Sequence, residues 1–234
     1  MAGRFLDGTG MSVITALEVQ KRNKKRVNVY LDEEYAFSLS LDEAAKLRKG
    51  QTLSDNEVEQ LRDQDAVAYA VDSAARFLAV RPRSIQEVRQ NLLQKSHPPA
   101  VIDNALERLT ALGYLDDRAF AEFWVRERNT FKPLSPRALR QELRQKGVAD
   151  EIIDDVIGDL DADEVAYRAA MSQSRRFRGS DQRTFREKMY AFLQRRGFSY
   201  TTAKSVVRQL IEELSAEDGY FAQDSADDDP FDEE

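Results

Sequence analysis

The second half of the chain contains arginines whose spacing is suited to binding an anion. Arg137, Arg140 and Arg144 stand at positions i, i+3 and i+7, so on a helix they share one face. Within that helix, Glu142 is the one acid close to them. An arginine side chain is a planar fork that can bind a carboxylate or a phosphate through two hydrogen bonds. We therefore predict that this arginine stripe binds an acidic protein surface or a nucleic acid.

A denser set of cations lies further along the chain. Between Met171 and Ile211 the sequence has ten basic and two acidic residues, whereas a solvated surface usually mixes both signs. The members of this arginine cluster are Arg175, Arg176, Arg178, Arg183, Arg186, Lys188, Arg195 and Arg196. The loop KRNKKR (21–26) offers a further place to bind phosphate, but most charged hairpin turns are solvated, which is the favoured interpretation.

The residue types that carry most enzyme chemistry are scarce. His97 is the single histidine and lies in a predicted turn before two prolines, and there are no cysteines. The sequence lacks the glycine-rich phosphate-binding patterns and the G-x-S-x-G pattern of serine hydrolases. We expect no enzyme, no cofactor and no metal site. The absence of cysteine and of a long apolar segment makes a cytoplasmic protein without a membrane span the default expectation.

The net charge of −7 conceals an uneven distribution. Residues 216–234 carry nine acidic and no basic side chains. We predict that this segment is a disordered acidic tail, and the open alternative is a DNA mimic that covers the basic face until a partner displaces it.

The elements that position the arginines come from an internal repeat. Residues 84–109, 135–160 and 185–210 align without gaps, with leucine or another apolar residue at matching positions. A further helical stretch precedes each segment, so the period is that of a three-helix repeat stacked on its neighbours. A cation stands at the end of the second helix in every repeat, namely Lys95, Lys146 and Arg196. The negative end of the helix dipole favours a cation at this position, so these three residues need no binding role to explain them.

The predicted fold is all-α, with three tandem three-helix repeats in an elongated crescent and a small N-terminal extension that contains a β-hairpin of two or three strands. Ser84 and Ser135 are predicted helix caps, and Gly147 and Gly197 predicted helix ends. In the first repeat, we expect the prolines after His97 to end the helix by steric exclusion. The predicted boundaries are 1–12 for a flexible lead, 13–64 for the extension, and 65–116, 117–162 and 163–215 for the three repeats.

Three segments, in this order, resemble the RecX family of recombinase regulators. They are R-P-R-S-I-Q-E-V-R (81–89), L-x-x-L-G-Y-L-D-D-x-x-F-A (109–121) and R-x-L-R-Q-E-L-R-Q-K-G-V (137–148). The similarity covers residues 65–212, and residues 13–64 look like the β-containing extension of longer members. Phe185 stands where the other two repeats have a serine cap, and the acidic tail lies outside the shared pattern.

The resemblance implies a regulatory protein that binds the RecA recombinase filament on single-stranded DNA. It further implies inhibition of ATP hydrolysis, strand exchange and the co-protease activity that triggers the SOS response, and thereby a role in DNA repair and homologous recombination. We expect a monomer whose arginine stripe and arginine cluster make the contact. Two alternatives remain open: a nucleic-acid-binding helical protein without a recombinase partner, and a scaffold that works through apolar grooves alone.

Overall fold

The computed structural model describes residues 10–217 and 219–222, and the chain divides into two compact units between Leu115 and Asp116. The first unit contains a four-stranded sheet and the first three-helix repeat, and the second unit contains the other two repeats. Residues 1–9 of the predicted flexible lead lie outside the described part, whereas Met11 and Ser12 already belong to the first strand. The described residues are mostly helical, which confirms the predicted helical class with three repeats and a small N-terminal β extension.

The N-terminal sheet is antiparallel throughout, with the strand order β3-β2-β1-β4. Its strands are β1 (Met11–Val19), β2 (Arg26–Leu31), β3 (Glu34–Ser40) and β4 (Thr52–Ser54). Alternate residues of the strands are buried, among them Ile14, Val29 and Leu39, because one face of the sheet covers a core. The sequence predicted two or three strands and missed β4, since three residues are too few to show an alternating pattern.

The described residues form ten α-helices, of which α1 lies between β3 and β4, and α2, which leads into the first repeat, also packs on the sheet. The helices are α1 (Leu41–Ala44), α2 (Asp55–Leu78), α3 (Ile85–Gln94), α4 (Pro99–Ala111), α5 (Asp117–Phe131), α6 (Pro136–Gln145), α7 (Asp150–Ile157), α8 (Ala162–Ser174), α9 (Gln182–Arg195) and α10 (Tyr200–Ser215). Repeat one is formed by α2–α4, repeat two by α5–α7 and repeat three by α8–α10. The expected boundary at residue 64 falls inside α2, whose first half packs on the sheet through Val58 and Leu61.

A buried carboxylate connects α2 to the sheet. Asp65 is 7% exposed and accepts hydrogen bonds from the Arg26 guanidinium at 2.7 Å and from the Ser40 backbone N–H at 2.9 Å. The charge of Asp65 is therefore both paired and hydrogen-bonded, which is the condition under which a buried carboxylate is tolerated.

The second helix of each repeat ends in the same way. Gly147 and Gly197 have φ angles of +79° and +85°, and Ser96 takes the equivalent position with φ +62°. In each case the next backbone N–H bonds a carbonyl five residues earlier, as from His97 to Leu92 at 3.2 Å. The expectation that proline exclusion ends the helix of repeat one was wrong in its reason, because Ser96 adopts the left-handed conformation itself.

The beginnings of these helices agree with the sequence in two repeats and differ in the third. Ser84 and Ser135 accept hydrogen bonds from the backbone N–H three residues later, which confirms both predicted caps. In repeat three the cap is Asp181, which accepts from Thr184 N–H at 2.6 Å. The helix α9 therefore begins before Phe185, and this side chain is fully buried in the core instead of replacing a cap.

Candidate partner-binding surface

The arginine stripe lies on the solvent side of α6, but two of its three members are paired. Leu139 and Leu143 point into the core of repeat two, as their spacing predicts. Arg140 forms an ion pair with Asp154, and Arg144 Nε donates to Asp150 Oδ1 at 2.6 Å. The stripe therefore has acidic partners that the sequence analysis did not consider, because they come from the neighbouring helix α7 and not from α6.

These pairs also set the electrostatics of the stripe. The hydrogen bond from Arg144 is the main cause that lowers the pKa of the Asp150 carboxyl, and the same bond raises the pKa of Arg144. Glu142, the acid expected near the stripe, instead accepts from Trp124 Nε1 at 2.8 Å and Arg128 Nε at 2.7 Å. Among the described residues, Arg137 is the member of the stripe that is exposed and forms no ion pair.

The first part of the arginine cluster follows α8. Arg175 and Arg176 lie in a 3₁₀ turn (Arg175–Phe177), and both side chains are exposed, as is that of Arg178. The Arg178 guanidinium lies 6.0 Å from the centroid of the Tyr220 ring. In the parts of the chain that the structure describes, no ion pair is recorded for these three arginines.

The chain after α10 returns to this part of the cluster. Tyr220 is 4% exposed, donates its hydroxyl proton to the Ser174 carbonyl at 2.6 Å and packs on Phe185. Its carbonyl accepts from Gly179 N–H at 2.8 Å. Tyr220 and Phe221 were expected in the acidic tail but contribute to the core of repeat three, and residues 223–234 of that tail lie outside the described part.

The helix α9 carries the rest of the cluster, and its cations differ in their surroundings. Arg183 forms an i, i+4 pair with Glu187 at 3.4 Å. Burial, the largest cause, and the neighbouring Tyr200 raise the pKa of Tyr190, while the half-buried Arg186 opposes this rise. Lys188 and Arg195 are exposed.

Arg196 occupies the junction between repeats two and three. Its carbonyl accepts from Ser135 N–H at 3.0 Å, and its Nη1 donates to the Pro133 carbonyl at 3.3 Å. The guanidinium lies 5.0 Å from the Phe192 ring centroid, and burial lowers its pKa. Arg196 thus helps to hold the start of α6 against the end of α9, and it places Arg195 and Arg137 at neighbouring ends of these helices.

Sequence reasoning missed an aromatic pair in repeat three. The rings of Tyr190 and Tyr200 stack with centroids 6.0 Å apart, and Tyr200 is 61% exposed. The signal was present in the repeat alignment, where Tyr190 coincides with Arg140 and Tyr200 with Asp150.

Three further features of the described residues concern the single histidine, groups of metal-ligating side chains and the apolar character of the helices. His97 packs beside Tyr69, and burial, together with Lys95, lowers its pKa. No group of three or more His, Cys, Asp or Glu side chains that could hold a metal ion occurs among residues 10–217 and 219–222. In the same residues, no helix is long and apolar enough to cross a membrane.

Comparison with known families settles the relationship. The family model for the regulatory protein RecX N-terminal domain matches residues 12–54. The first, second and third three-helix domains of RecX match residues 70–109, 116–157 and 161–207, respectively. The chain belongs to the RecX family.

Individual relatives and solved structures agree with this family membership. The chain is 36% identical to the regulatory protein RecX of Lactobacillus delbrueckii subsp. bulgaricus over 208 residues, which is 87% of this chain and 76% of the relative. It is 31% identical to that of Listeria innocua serovar 6a, covering 88% of this chain and 78% of the relative. A crystal structure of regulatory protein RecX superposes with a TM-score of 0.64 at 28% identity, over 83% of this chain and 98% of that one. The crystal structure of RecX from Lactobacillus salivarius has a TM-score of 0.54 at 22% identity, over 63% and 97%, and supports the fold alone.

Proposed function

We propose that the chain is a non-enzymatic regulator that binds the RecA recombinase filament on single-stranded DNA in the cytoplasm. In this role it inhibits RecA ATP hydrolysis, strand exchange and the co-protease activity of the SOS response. Membership of a family whose curated relatives are named regulatory proteins supports a regulatory role. The RecA partner follows from what the RecX family resemblance implies.

The observation that carries the proposal is the exposed, acid-poor arginine surface of the second unit. Arg175 and Arg176 lie together in the 3₁₀ turn, and Arg137 and Arg195 lie at the junction of repeats two and three. Exposed guanidinium groups without a local carboxylate keep their capacity to bind carboxylates or phosphates of a partner. Arg140 and Arg144 have part of that capacity occupied by Asp154 and Asp150.

The alternative is a general nucleic-acid-binding helical protein that needs no recombinase, since the same arginines could hold phosphates. Direct DNA binding would weaken steeply with salt, in proportion to the number of phosphates neutralised. Salt dependence alone separates the two functions only in part, because contacts with an acidic protein surface are also screened.

The deciding experiment measures RecA ATP hydrolysis on single-stranded DNA while this protein is added in substoichiometric amounts. We expect suppression at ratios too low to coat the DNA. Suppression that begins only when the protein could cover the strand would favour simple competition for DNA. An unchanged ATPase rate at every ratio would contradict the proposal.

Charge-reversal variants test which arginines are needed to inhibit RecA. The combined reversal of Arg140, Arg144, Arg176 and Arg186 to Glu is expected to abolish inhibition while helicity, measured by circular dichroism, is retained. The double variant Arg175→Glu/Arg176→Glu changes exposed arginines that form no ion pair among the described residues, whereas Arg140→Glu/Arg144→Glu changes arginines that are paired. The first double variant should lose more of the RecA inhibition than the second.

A matched control makes the same change of charge on exposed arginines of repeat one, as Arg76→Glu/Arg108→Glu. This control should inhibit RecA as the wild type does. Equal loss of inhibition in the control and in Arg175→Glu/Arg176→Glu would mean that net charge, and not this surface, governs the activity.

A further inference from the structure

Repeat three lacks a salt bridge that joins the second and third helices in the other two repeats. In repeat two, Arg140 of the second helix pairs with Asp154 of the third helix. In repeat one the aligned residues make the same pair, with Arg89 Nη1 2.5 Å from Asp103 Oδ1. In repeat three the aligned residues are Tyr190 and Lys204, so the carboxylate has been replaced by a cation. The helix pair α9–α10 is therefore held together at this position without an arginine–aspartate pair.

An aromatic pair lies beside this position, with Tyr190 in place of the arginine of the salt bridge and Tyr200 aligned with Asp150 of repeat two. The rings of Tyr190 and Tyr200 lie with centroids 6.0 Å apart and planes 25° apart, and Tyr190 is half-buried. Tyr200 is the first residue of α10, behind the Ser199 cap, and 61% of its surface is exposed. Tyr190 thus supports the Tyr200 ring while leaving much of that ring in contact with solvent.

Cations lie one helical turn from each tyrosine of the pair. Arg186 precedes Tyr190 by one helical turn, and Lys204 follows Tyr200 by one turn and is exposed. From residue 182 to residue 211 the sequence has seven basic side chains and one acidic one, Glu187, which pairs with Arg183. We call Arg186, Tyr190, Tyr200 and Lys204 the tyrosine patch.

We propose that the tyrosine patch binds single-stranded DNA, with a base stacked on Tyr200 and phosphates held by Lys204 and Arg186. A supported, exposed aromatic ring between cations is the arrangement by which proteins bind single strands with little sequence preference, because every base has a face that can stack. Protein–protein interfaces also bury tyrosine rings, so the comparison of a strand with bases and a strand without them distinguishes the two kinds of partner. The inference deepens the proposed function and rests on it for the biological role of the strand, but its test needs no RecA.

The test separates stacking from charge by using two strands of equal length and equal phosphate number. Binding of the full chain to fluorescein-labelled oligo(dT) and to the same strand with an abasic central stretch is measured by fluorescence anisotropy at fixed salt. Stacking on an aromatic side chain favours a base by about 1–3 kcal/mol, so oligo(dT) should bind the wild type roughly 5- to 140-fold more tightly than the abasic strand.

The variant Tyr200→Ala should lose this preference and bind both strands like the wild type binds the abasic one. Tyr200→Trp should retain it, because the larger ring also stacks. Tyr114→Ala is the matched control, since Tyr114 is 67% exposed and lies in repeat one. Circular dichroism verifies that each variant is folded.

Equal wild-type affinity for the two strands, or an undiminished preference in Tyr200→Ala, overturns the inference. RecA ATPase inhibition then distinguishes this failure from failure of the proposed function. If Tyr200→Ala retains the preference for oligo(dT) but no longer inhibits RecA, the patch contacts the recombinase and not DNA, so the inference falls and the proposed function stands. If the wild type shows the preference but never inhibits RecA, the inference stands and the proposed function falls.

Discussion

The variant Gly197→Ala tests how closely repeats two and three approach each other. Gly197 follows the end of α9 with φ +85°, and a Cβ added there would lie 2.8 Å from both Ala138 Cβ and Ser135 Oγ at the start of α6. Such distances are shorter than van der Waals contact, and the obstacles include a short, rigid alanine side chain. The substitution must therefore push α6 away from α9 or distort the turn.

The expected loss has two parts. A residue other than glycine in the left-handed region costs about 1–2 kcal/mol, and Ser96 shows that this conformation is tolerated in the equivalent turn of repeat one. Overpacking adds about 1–3 kcal/mol. Gly179→Ala is the matched control, since Gly179 has φ +82° in the same unit but nothing within 4 Å of its added Cβ. Gly179→Ala therefore carries only the cost of placing alanine in the left-handed conformation.

Thermal unfolding followed by the fluorescence of Trp124, the single tryptophan, reports on the second unit. Gly197→Ala should lower the midpoint further than Gly179→Ala by about 2–12 °C, from the additional 1–3 kcal/mol and the usual 2–4 °C per kcal/mol for a chain of this size. Equal shifts in the two variants would refute the reasoning, because they would mean that the junction accommodates a methyl group without strain.

Four further predictions follow from individual contacts. Tyr220→Phe should lose about 1 kcal/mol with its hydrogen bond and Tyr220→Ala about 3–5 kcal/mol with its packing in the core, as measured by chemical unfolding; a neutral alanine variant would contradict the buried position. Arg140→Ala should cost no more than about 1 kcal/mol because both partners are partly exposed, and a double-mutant cycle with Asp154 measures the pair; a coupling well above that value would contradict a surface pair. Hydrogen bonds from the first turn of α9 lower the pKa of Asp181, so its contribution to stability is full above the ordinary value of 3.8 and is lost as the pH falls through the lowered value; carbon-detected NMR titration should find the lowered pKa, and Asp181→Asn should flatten the stability profile at acid pH. Removal of residues 223–234, which carry seven acidic side chains, should tighten binding to single-stranded DNA at low salt and have less effect at high salt; an unchanged affinity at low salt would argue against shielding by the tail.

Most of the helical fold could be predicted because each repeat carries local signals. Serine caps at Ser84 and Ser135 and left-handed glycines at Gly147 and Gly197 are decided by a few neighbouring residues. The cap of repeat three could not be inferred from the alignment, since Asp181 lies four positions before the residue that the alignment pointed to. The short strand β4 carried too few residues for a pattern, and it forms because its backbone pairs with β1.

The candidate surface was predicted less completely than the fold. The sequence located the arginines, but Arg140 and Arg144 find their acidic partners across a helix pair, at a separation that no helical periodicity within α6 reveals. Tyr220 was assigned to the tail because the residues around it are acidic, whereas its ring fills a place in the core of repeat three.

By itself the sequence determined the three-fold repeat, the helix ends and the concentration of arginines, because these depend on composition and on neighbours within one or two helical turns. The tertiary structure decided which cations remain exposed without a recorded acid partner, such as Arg175 and Arg176, and which are paired. It also placed Tyr200 beside Tyr190, which stands where the other repeats have the arginine of a salt bridge. The physical reason is that pairing and stacking depend on distances between helices, which are fixed only when the apolar faces of a repeat pack together.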